Sequence, residues 1–217
     1  SISETSLMRH EFGLPNTGFV FCCFNNTYKI TPSTFTGWMR ILKAVEDSVL
    51  WLFENNNNTT KNLKKEAMKF GINEDRFVFA THMPVEEHLN RIKQADLFID
   101  TLPYNAHTTT SDALRMGLPV LTCIGNSFAS RVAASIISAL NLPELITTNQ
   151  EQYESLAIEL ATHPEKLKII KDKLVSNLST APLYDTKLVT KNLESAYSMM
   201  YDRYQRDLDP DHIYVKH

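Results

Sequence analysis

Short apolar runs alternate with helical stretches along this chain, and the alternation restricts the fold more than any other feature of the sequence. Six runs have the character of buried strands: residues 18–24, 48–53, 76–80, 96–100, 120–123 and a short run at 144–147. Helices are predicted between and after them, at residues 32–45, 61–70, 84–95, 129–140, 151–162, 165–176 and 188–206. A further helix is predicted to follow His107, with Asp112 one turn into it, and to end at Gly117. Strands that alternate with helices form a parallel sheet covered on both faces, and right-handed crossovers make the sheet doubly wound. The sequence therefore predicts an α/β fold with a doubly wound parallel sheet.

The domain organisation predicted from the sequence is simple. A chain of 217 residues is long enough for one large α/β domain with a substantial core. We expect residues 18–206 to form this domain, with residues 1–17 as a lead-in linker and residues 207–217 as a polar tail. Residues 54–60 are rich in Asn and have no periodicity, so they are predicted to be a loop.

Charge and cysteine content exclude several partners. The formal net charge is −3, so no basic footprint indicates nucleic acid. No apolar run approaches the length of a membrane span, so no membrane partner is expected. The three cysteines, Cys22, Cys23 and Cys123, lie in apolar strand-like runs. An odd number of cysteines makes a poor disulfide framework, so we expect reduced core residues of a cytoplasmic protein.

Three loops are expected at one edge of the predicted sheet. In doubly wound folds, ligands bind beyond the carboxyl ends of the strands, which here places residues 25–29, 81–83 and 101–107 together. The third loop leads through His107 and three threonines into a helix start. A helix N-terminus with free N–H groups and hydroxyls suits a phosphate or diphosphate. The alternative is that Thr108 only caps the helix.

The same edge carries charged and aromatic candidates, each with an alternative. Lys29 is a cation suited to a phosphate, or else a solvated surface lysine. His88 and Arg91 share one helix face and suit a nucleobase, or else belong to an ordinary amphipathic surface. Asp112 is placed to accept both hydroxyls of a ribose, or else it only interacts with the helix dipole.

The sequence lacks the motifs that bind several common cofactors. The chain has neither a G-x-G-x-x-G fingerprint nor a P-loop, which argues against a nicotinamide or flavin enzyme. Asp207-Leu208-Asp209 has the D-x-D pattern of metal-dependent sugar transferases. It lies in the predicted polar tail after a helix, so we interpret it as a solvated acidic turn. We find no set of ligands for a metal, so no metal cofactor is expected.

Several long motifs, taken in order, resemble one family. They are FVFCCFNNTYKITPSTFTGWMRIL, SVLWL, EEHLNR, NAHTTTSDALRMGLPVLT, FASRVAAS and APLYDT. From about Phe12 to Tyr204 the chain resembles the C-terminal half of the catalytic region of O-linked N-acetylglucosamine transferases, in particular the bacterial members grouped with SPINDLY. The resemblance implies one Rossmann-like half of a GT-B glycosyltransferase. In this family that half binds the nucleotide sugar, normally UDP-N-acetylglucosamine.

The resemblance also implies how the diphosphate is held. Lys29 would be the catalytic residue, contacting the diphosphate and stabilising the leaving nucleoside diphosphate. Asn26 stands where animal members carry a Gln near the phosphates. His107, Thr108 and Thr109 would surround the diphosphate at the helix start.

The nucleoside contacts are likewise implied by the resemblance. Backbone groups of Met83 would recognise the uracil, His88 would stack on it, Arg91 would lie beside it, and Asp112 would hold the ribose. Val85 replaces a Lys of animal members, a departure that concerns base selectivity. The plant SPINDLY branch resembles these sequences too and uses GDP-fucose, so more than one donor sugar is compatible with the pattern.

The implied activity is metal-independent, inverting transfer of a sugar to a protein hydroxyl. In the family, the acceptor is bound by the other Rossmann-like domain and an upstream tetratricopeptide array, and this sequence contains neither. We therefore expect the chain alone to bind donor and to be inactive in transfer. Two other classes stay open at this point: an epimerase of the UDP-N-acetylglucosamine 2-epimerase type, and a non-catalytic nucleotide-binding module.

Overall fold

A computed structural model describes residues 8–215, and its centre is a sheet of six parallel strands. The strands are β1 Phe19–Cys23, β2 Ser48–Phe53, β3 Phe77–Ala80, β4 Leu97–Ile99, β5 Val120–Cys123 and β6 Ile146–Thr147. Their spatial order is β3-β2-β1-β4-β5-β6. The chain builds one half of the sheet outward from β1, then returns to add β4 on the other side of β1. The prediction of a doubly wound parallel sheet is confirmed.

Eight α-helices connect or follow the strands within residues 8–215. They are α1 Pro32–Ala44, α2 Asn57–Lys69, α3 Val85–Ile92, α4 Thr108–Arg115, α5 Val132–Ala139, α6 Gln150–Thr162, α7 Pro164–Leu178 and α8 Thr186–Gln205. Short 3-10 turns lie between several of them, including Thr27–Lys29 after β1 and Phe128–Ser130 after β5. None of the helices in the described part of the chain has the length and apolar character of a membrane span.

The core follows from the apolar strands and from one face of α1. The central strands are buried on both faces, as in β1 and β2, where Phe21 and Trp51 have no exposed surface. Helix α1 begins after Thr31, whose hydroxyl accepts a hydrogen bond from the Thr34 amide at 3.2 Å, and a Pro occupies the first turn. Trp38 on this helix packs into the core, so the predicted inward face of α1 is confirmed.

One helix start differs from the prediction. Helix α2 begins at Asn57, because Asn56 accepts the Thr59 amide at 2.9 Å and caps the first turn. The prediction of a patternless loop over residues 54–60 is therefore wrong for its second half. The first turn of α2 is polar, so apolar periodicity did not mark it. Helix α4 begins at Thr108, and the prediction that this helix follows His107, with Asp112 one turn into it, is confirmed.

The two ends of the described chain contact the domain. Leu14 is buried in the core, and the Arg9 guanidinium donates to the Asp96 carboxylate at 2.8 Å. At the other end, the Arg203 guanidinium donates to the Asp209 carbonyl at 3.1 Å. The parts of the predicted linker and tail at residues 1–7 and 216–217 lie outside the described residues. The boundaries of the linker and tail stay predictions.

We expect Tyr153→Phe to lower the free energy of unfolding by about 1–3 kcal/mol, because the lost hydroxyl leaves two buried groups without this partner. The Tyr153 hydroxyl is fully buried, donates to the Asp100 carbonyl at 2.8 Å and accepts from the Trp38 indole at 3.1 Å. Urea denaturation measures the change. Tyr201→Phe, at an exposed position on α8, is the matched control. Equal stability of Tyr153→Phe and the wild type would contradict this assignment.

Candidate functional site

The carboxyl ends of β1 and β4 are tied together by the side chain of Asn25. Its amide nitrogen donates to Asp100 Oδ1 at 3.2 Å and to Thr101 Oγ1 at 2.8 Å. Its oxygen accepts the Thr109 hydroxyl at 2.7 Å, which adds the first turn of α4 to the same network. The predicted meeting of the loops after the first and fourth strands therefore has a specific hydrogen-bonded cause.

Lys29 is held against the loop that leads to α4. It ends the 3-10 turn after β1 and is only 9% exposed. Its ammonium donates to the Asn105 carbonyl at 3.0 Å and lies 3.9 Å from the centroid of the Tyr104 ring. The alternative of a solvated surface lysine is wrong. Burial lowers the pKa of Lys29, and the negative charge of Asp100 opposes that shift.

The N-terminus of α4 lies three residues beyond Asn105. His107 occupies the cap position and makes no side-chain capping bond, so the alternative that Thr108 caps this helix is wrong. The first N–H groups of a helix have no acceptor inside the helix, and they carry its positive end. The Thr108 side chain is exposed, whereas the Thr109 hydroxyl donates to Asn25. The structure thus brings Lys29, His107, Thr108 and Thr109 to one end of the sheet.

A cavity of about 280 Å³ opens beside this cluster, between the loop after β1 and α3. Its lining residues are Phe24, Asn26, Phe53, His82, Met83, Val85, His88 and Arg91. Four predicted site residues therefore share one cavity: Asn26, Met83, His88 and Arg91. Asn26, which the resemblance places near the phosphates, lines the same cavity as the candidate base contacts. A cavity of this size with apolar walls and a few polar groups suits part of a small ligand.

Arg91 and His88 are bonded to one another at the base of this cavity. The Arg91 guanidinium donates to His88 Nδ1 at 2.9 Å and to the Thr81 carbonyl at 2.6 Å. Arg91 is 2% exposed, so an ordinary amphipathic surface does not describe this face of α3. Burial and the positive charge of Arg91 lower the pKa of His88 to about 4, so the imidazole is neutral at pH 7. Its ring contacts Phe24 edge-on at 5.3 Å between centroids.

Asp112 lies in the second turn of α4 and is half-buried. Burial raises the pKa of its carboxyl, and the nearby charge of Arg115 opposes that shift. Its placement on the helix that begins at the cluster is compatible with a ribose contact and with a dipole interaction. The role of Asp112 therefore stays a prediction.

Three residues that hold the site residues in place were not predicted from the sequence. Asp100 is fully buried, and its carboxylate accepts four hydrogen bonds. Asn105 and Tyr104 contact the ammonium of Lys29. Burial raises the pKa of Asp100 to about 6 against the opposing effect of its donors. A signal was present, because Asn25 and Asp100 are the first polar residues after two apolar strands. In a doubly wound sheet, such residues on neighbouring parallel strands come together.

Two further features bear on ligand class. Residues 8–215 contain no group of three or more His, Cys, Asp or Glu side chains arranged to hold a metal ion, and this range includes Asp207 and Asp209. A larger cavity of about 530 Å³ lies along α5, with a lining that includes Ile124, Phe128 and Val132. None of the predicted site residues lines it. Arg131, Ser135 and Ser138 are its polar lining residues, and its size alone does not make it the candidate site.

The six-stranded parallel sheet with its flanking helices is a Rossmann-like fold of the kind found in GT-B glycosyltransferases. A family profile described as glycosyl transferase family 41 matches residues 3–193, and the chain belongs to that family. It is 36% identical over 205 residues to the UDP-N-acetylglucosamine–peptide N-acetylglucosaminyltransferase of Caenorhabditis elegans. It is 35% identical over 208 residues to SEC of Arabidopsis thaliana, named a probable enzyme of the same kind.

The solved structures agree with this assignment. A mutant O-GlcNAc transferase of Thermobaculum terrenum superposes with a TM-score of 0.80 at 30% identity, covering 85% of this chain and 36% of that one. Anabaena Alr3699/HepE, solved with UDP, has a TM-score of 0.60 at 14% identity over 86% of this chain and 50% of that one, a similarity of fold alone.

The chain corresponds to only a part of its relatives. The matches cover 94% of this chain and 18% of the C. elegans protein, and 95% of this chain and 21% of the A. thaliana protein. The chain therefore spans about a fifth of the length of these two relatives.

We expect the His88 imidazole to titrate near pH 4 in an NMR pH titration, because burial and Arg91 both disfavour its protonated form. In Arg91→Met the midpoint should rise, since the neighbouring charge is gone, but stay below the ordinary value because burial remains. Arg115→Met, an exposed arginine on α4, is the control and should leave the His88 midpoint unchanged. A wild-type midpoint at or above 6.5 would show that the imidazole is hydrated and that the described cavity wall is wrong.

Proposed function

We propose that this chain is the donor-binding domain of a protein O-linked N-acetylglucosamine transferase and that its ligand is UDP-N-acetylglucosamine. The observation that carries the proposal is the burial of Lys29 against the loop that ends at the N-terminus of α4. A cation and a helix start on one side, and a cavity lined by apolar side chains, neutral His88 and Arg91 on the other, suit a nucleoside diphosphate.

The diphosphate end is proposed to use two positive elements. Lys29 supplies a full charge that its carbonyl and ring contacts hold in place. The N–H groups of Thr108 and Thr109 supply the helix terminus, with His107 beside them at the cap position. Groups that are already oriented stabilise charge on a leaving diphosphate without reorganising during the reaction. Lys29 is therefore the proposed catalytic residue, and the proposed reaction is metal-independent.

The nucleoside end is proposed to use the cavity at α3. A neutral His88 presents an aromatic face for a uracil ring, and its Nδ1 already accepts from Arg91. Arg91 and the backbone of Met83 are proposed to hydrogen-bond the carbonyl and N–H groups of the base, and Asn26 lines the same cavity. Asp112 is proposed to accept the ribose hydroxyls. All of these roles follow the family resemblance, and the shared cavity supports those of His88, Arg91 and Met83 but not that of Asp112.

The rest of the reaction is proposed to belong to the rest of the polypeptide. The solved O-GlcNAc transferase is much longer than this chain, which covers 36% of it. Transfer needs donor and acceptor in near-attack geometry, and the acceptor-binding half is proposed to be supplied from outside these residues. The acceptor is proposed to be a protein hydroxyl. The three buried free cysteines support a cytoplasmic setting.

We expect the 217-residue chain to bind UDP in calorimetry with a chelator present, and Lys29→Ala to weaken that binding at least about tenfold. One charge pair at about 4 Å contributes roughly 1–4 kcal/mol, and 1.4 kcal/mol corresponds to tenfold. Lys61→Ala, at an exposed position on α2, is the matched control and should bind UDP as the wild type does.

Two outcomes would contradict the proposal. If UDP, GDP and their nucleotide sugars all give no binding heat, the site is not a nucleotide site. If binding appears only when Mg²⁺ or Mn²⁺ is added, the metal-independent arrangement of Lys29 and α4 is wrong.

A further inference from the structure

We propose that Asp100 is a positioning residue of the donor site, which orients Asn25 and the start of α4 without touching the ligand. The inference rests on the proposed function, since it concerns how the diphosphate end of that site is held. Asp100 follows β4 directly and has no exposed surface, so it acts on a ligand only through other residues.

The two oxygens of the Asp100 carboxylate face different parts of the structure. Oδ1 accepts from the amides of Thr101 and Ala106, both at 2.7 Å, and from the Asn25 side chain at 3.2 Å. Oδ2 accepts from the Thr122 hydroxyl on β5 at 2.7 Å. One oxygen therefore organises the loops of the site, and the other is anchored in the sheet.

The contacts at Oδ1 reach the proposed diphosphate end by two routes. Asn25 donates to the carboxylate through its nitrogen, which leaves its oxygen to accept the Thr109 hydroxyl at 2.7 Å. Ala106 is the residue before the cap position of α4, so its bond to Asp100 fixes where the helix begins. Loss of acceptor strength at Oδ1 would loosen both routes together.

The negative charge of Asp100 is what makes these bonds strong. All four of its partners are donors, and hydrogen bonds to an ionised acceptor are about twice as strong as neutral ones. When the carboxyl is protonated, the proton lies either on Oδ1, facing these donors, or on Oδ2, pointing toward the Thr122 hydroxyl. In both cases Oδ1 becomes a weaker acceptor. Since burial raises the pKa of Asp100 to about 6, mild acid is enough to protonate it.

The titratable groups around Asp100 come from three other elements and one turn. They are the thiols of Cys23 on β1 and Cys123 on β5, the phenol of Tyr153 on α6 and the ammonium of Lys29. Burial raises the pKa of both thiols and of the phenol above their ordinary values, so all three stay neutral from pH 5 to 7.5. A binding change near pH 6 is therefore not assigned to the thiols or the phenol. The variant Asp100→Asn, which keeps Lys29 and His107, separates a step that belongs to Asp100 from one that belongs to either of those residues.

Stability and binding are expected to respond to acid in opposite directions. The carboxyl of Asp100 has a pKa of about 6 in the folded chain against an ordinary value of 3.8, so the folded state takes up its proton first. Its contribution to stability thus increases as the pH falls from 6 toward 4. Donor affinity instead falls over the same range, so a loss of affinity at pH 5 is distinguishable from unfolding caused by this group.

The test measures UDP-N-acetylglucosamine binding to the 217-residue chain by calorimetry between pH 7.5 and 5.0, with thermal unfolding followed in parallel. This probe is used because both of its phosphates are substituted and carry no group that titrates near pH 6. If only the ionised form of Asp100 supports tight binding, wild-type affinity should fall about tenfold at pH 5. Asp100→Asn, which keeps the shape and removes the charge, should bind about tenfold more weakly at pH 7.5 and lack the step near pH 6.

Thr147→Val is the matched control, because it removes a buried hydroxyl at the same end of the sheet that bonds to Thr122 and not to Asp100. It should lower the melting temperature while keeping affinity within about twofold. If Asp100→Asn keeps the wild-type affinity and pH profile, the inference about Asp100 is overturned and the proposed function is not. No binding by the wild type at pH 7.5 would overturn the proposed function as well. If Asp100→Asn does not fold, the wild-type profile decides, and a flat profile to pH 5.0 overturns the inference.

Discussion

The hydrogen bonds that Asn25 donates to Asp100 and Thr101 are the constraint on which the site depends, because they join the carboxyl ends of β1 and β4. β1 and β4 are neighbours in the sheet although two strands lie between them in the sequence. Together with the bond from Lys29 to the Asn105 carbonyl, this tie holds the loop after β1 against the loop that leads to α4. Burial of the tie makes it costly to break, since unpaired polar groups in the interior are strongly unfavourable.

The proposed selectivity for an anion rests on charges at the site. The chain as a whole is slightly acidic, with a formal net charge of −3, so the proposed attraction of a diphosphate is a local property. Lys29 and Arg91 are cations held largely away from water, and each is satisfied by carbonyl or ring partners. A charge that has already lost much of its hydration interacts more strongly with a ligand of opposite sign. Neutral His88 avoids adding a third charge beside the proposed base.

Much of the fold was predictable from the sequence, because buried parallel strands are continuous apolar runs and helix ends carry Pro, Gly or capping residues. The polar first turn of α2 was misplaced, since its helical state depends on capping by Asn56 and not on apolar periodicity. The site residues were named from the motifs that carry the family resemblance. Burial of Lys29 was not predictable, because it depends on Tyr104 and Asn105, which come from a loop distant in sequence.

Amide NMR spectra recorded during a UDP titration decide whether loops after three different strands form one nucleotide site. If they do, the amides of residues 25–29, 81–88 and 105–109 shift together and yield one dissociation constant. If the shifts are confined to the cavity along α5, lined by Ile124, Phe128 and Val132, the nucleotide binds there and the proposed site is wrong.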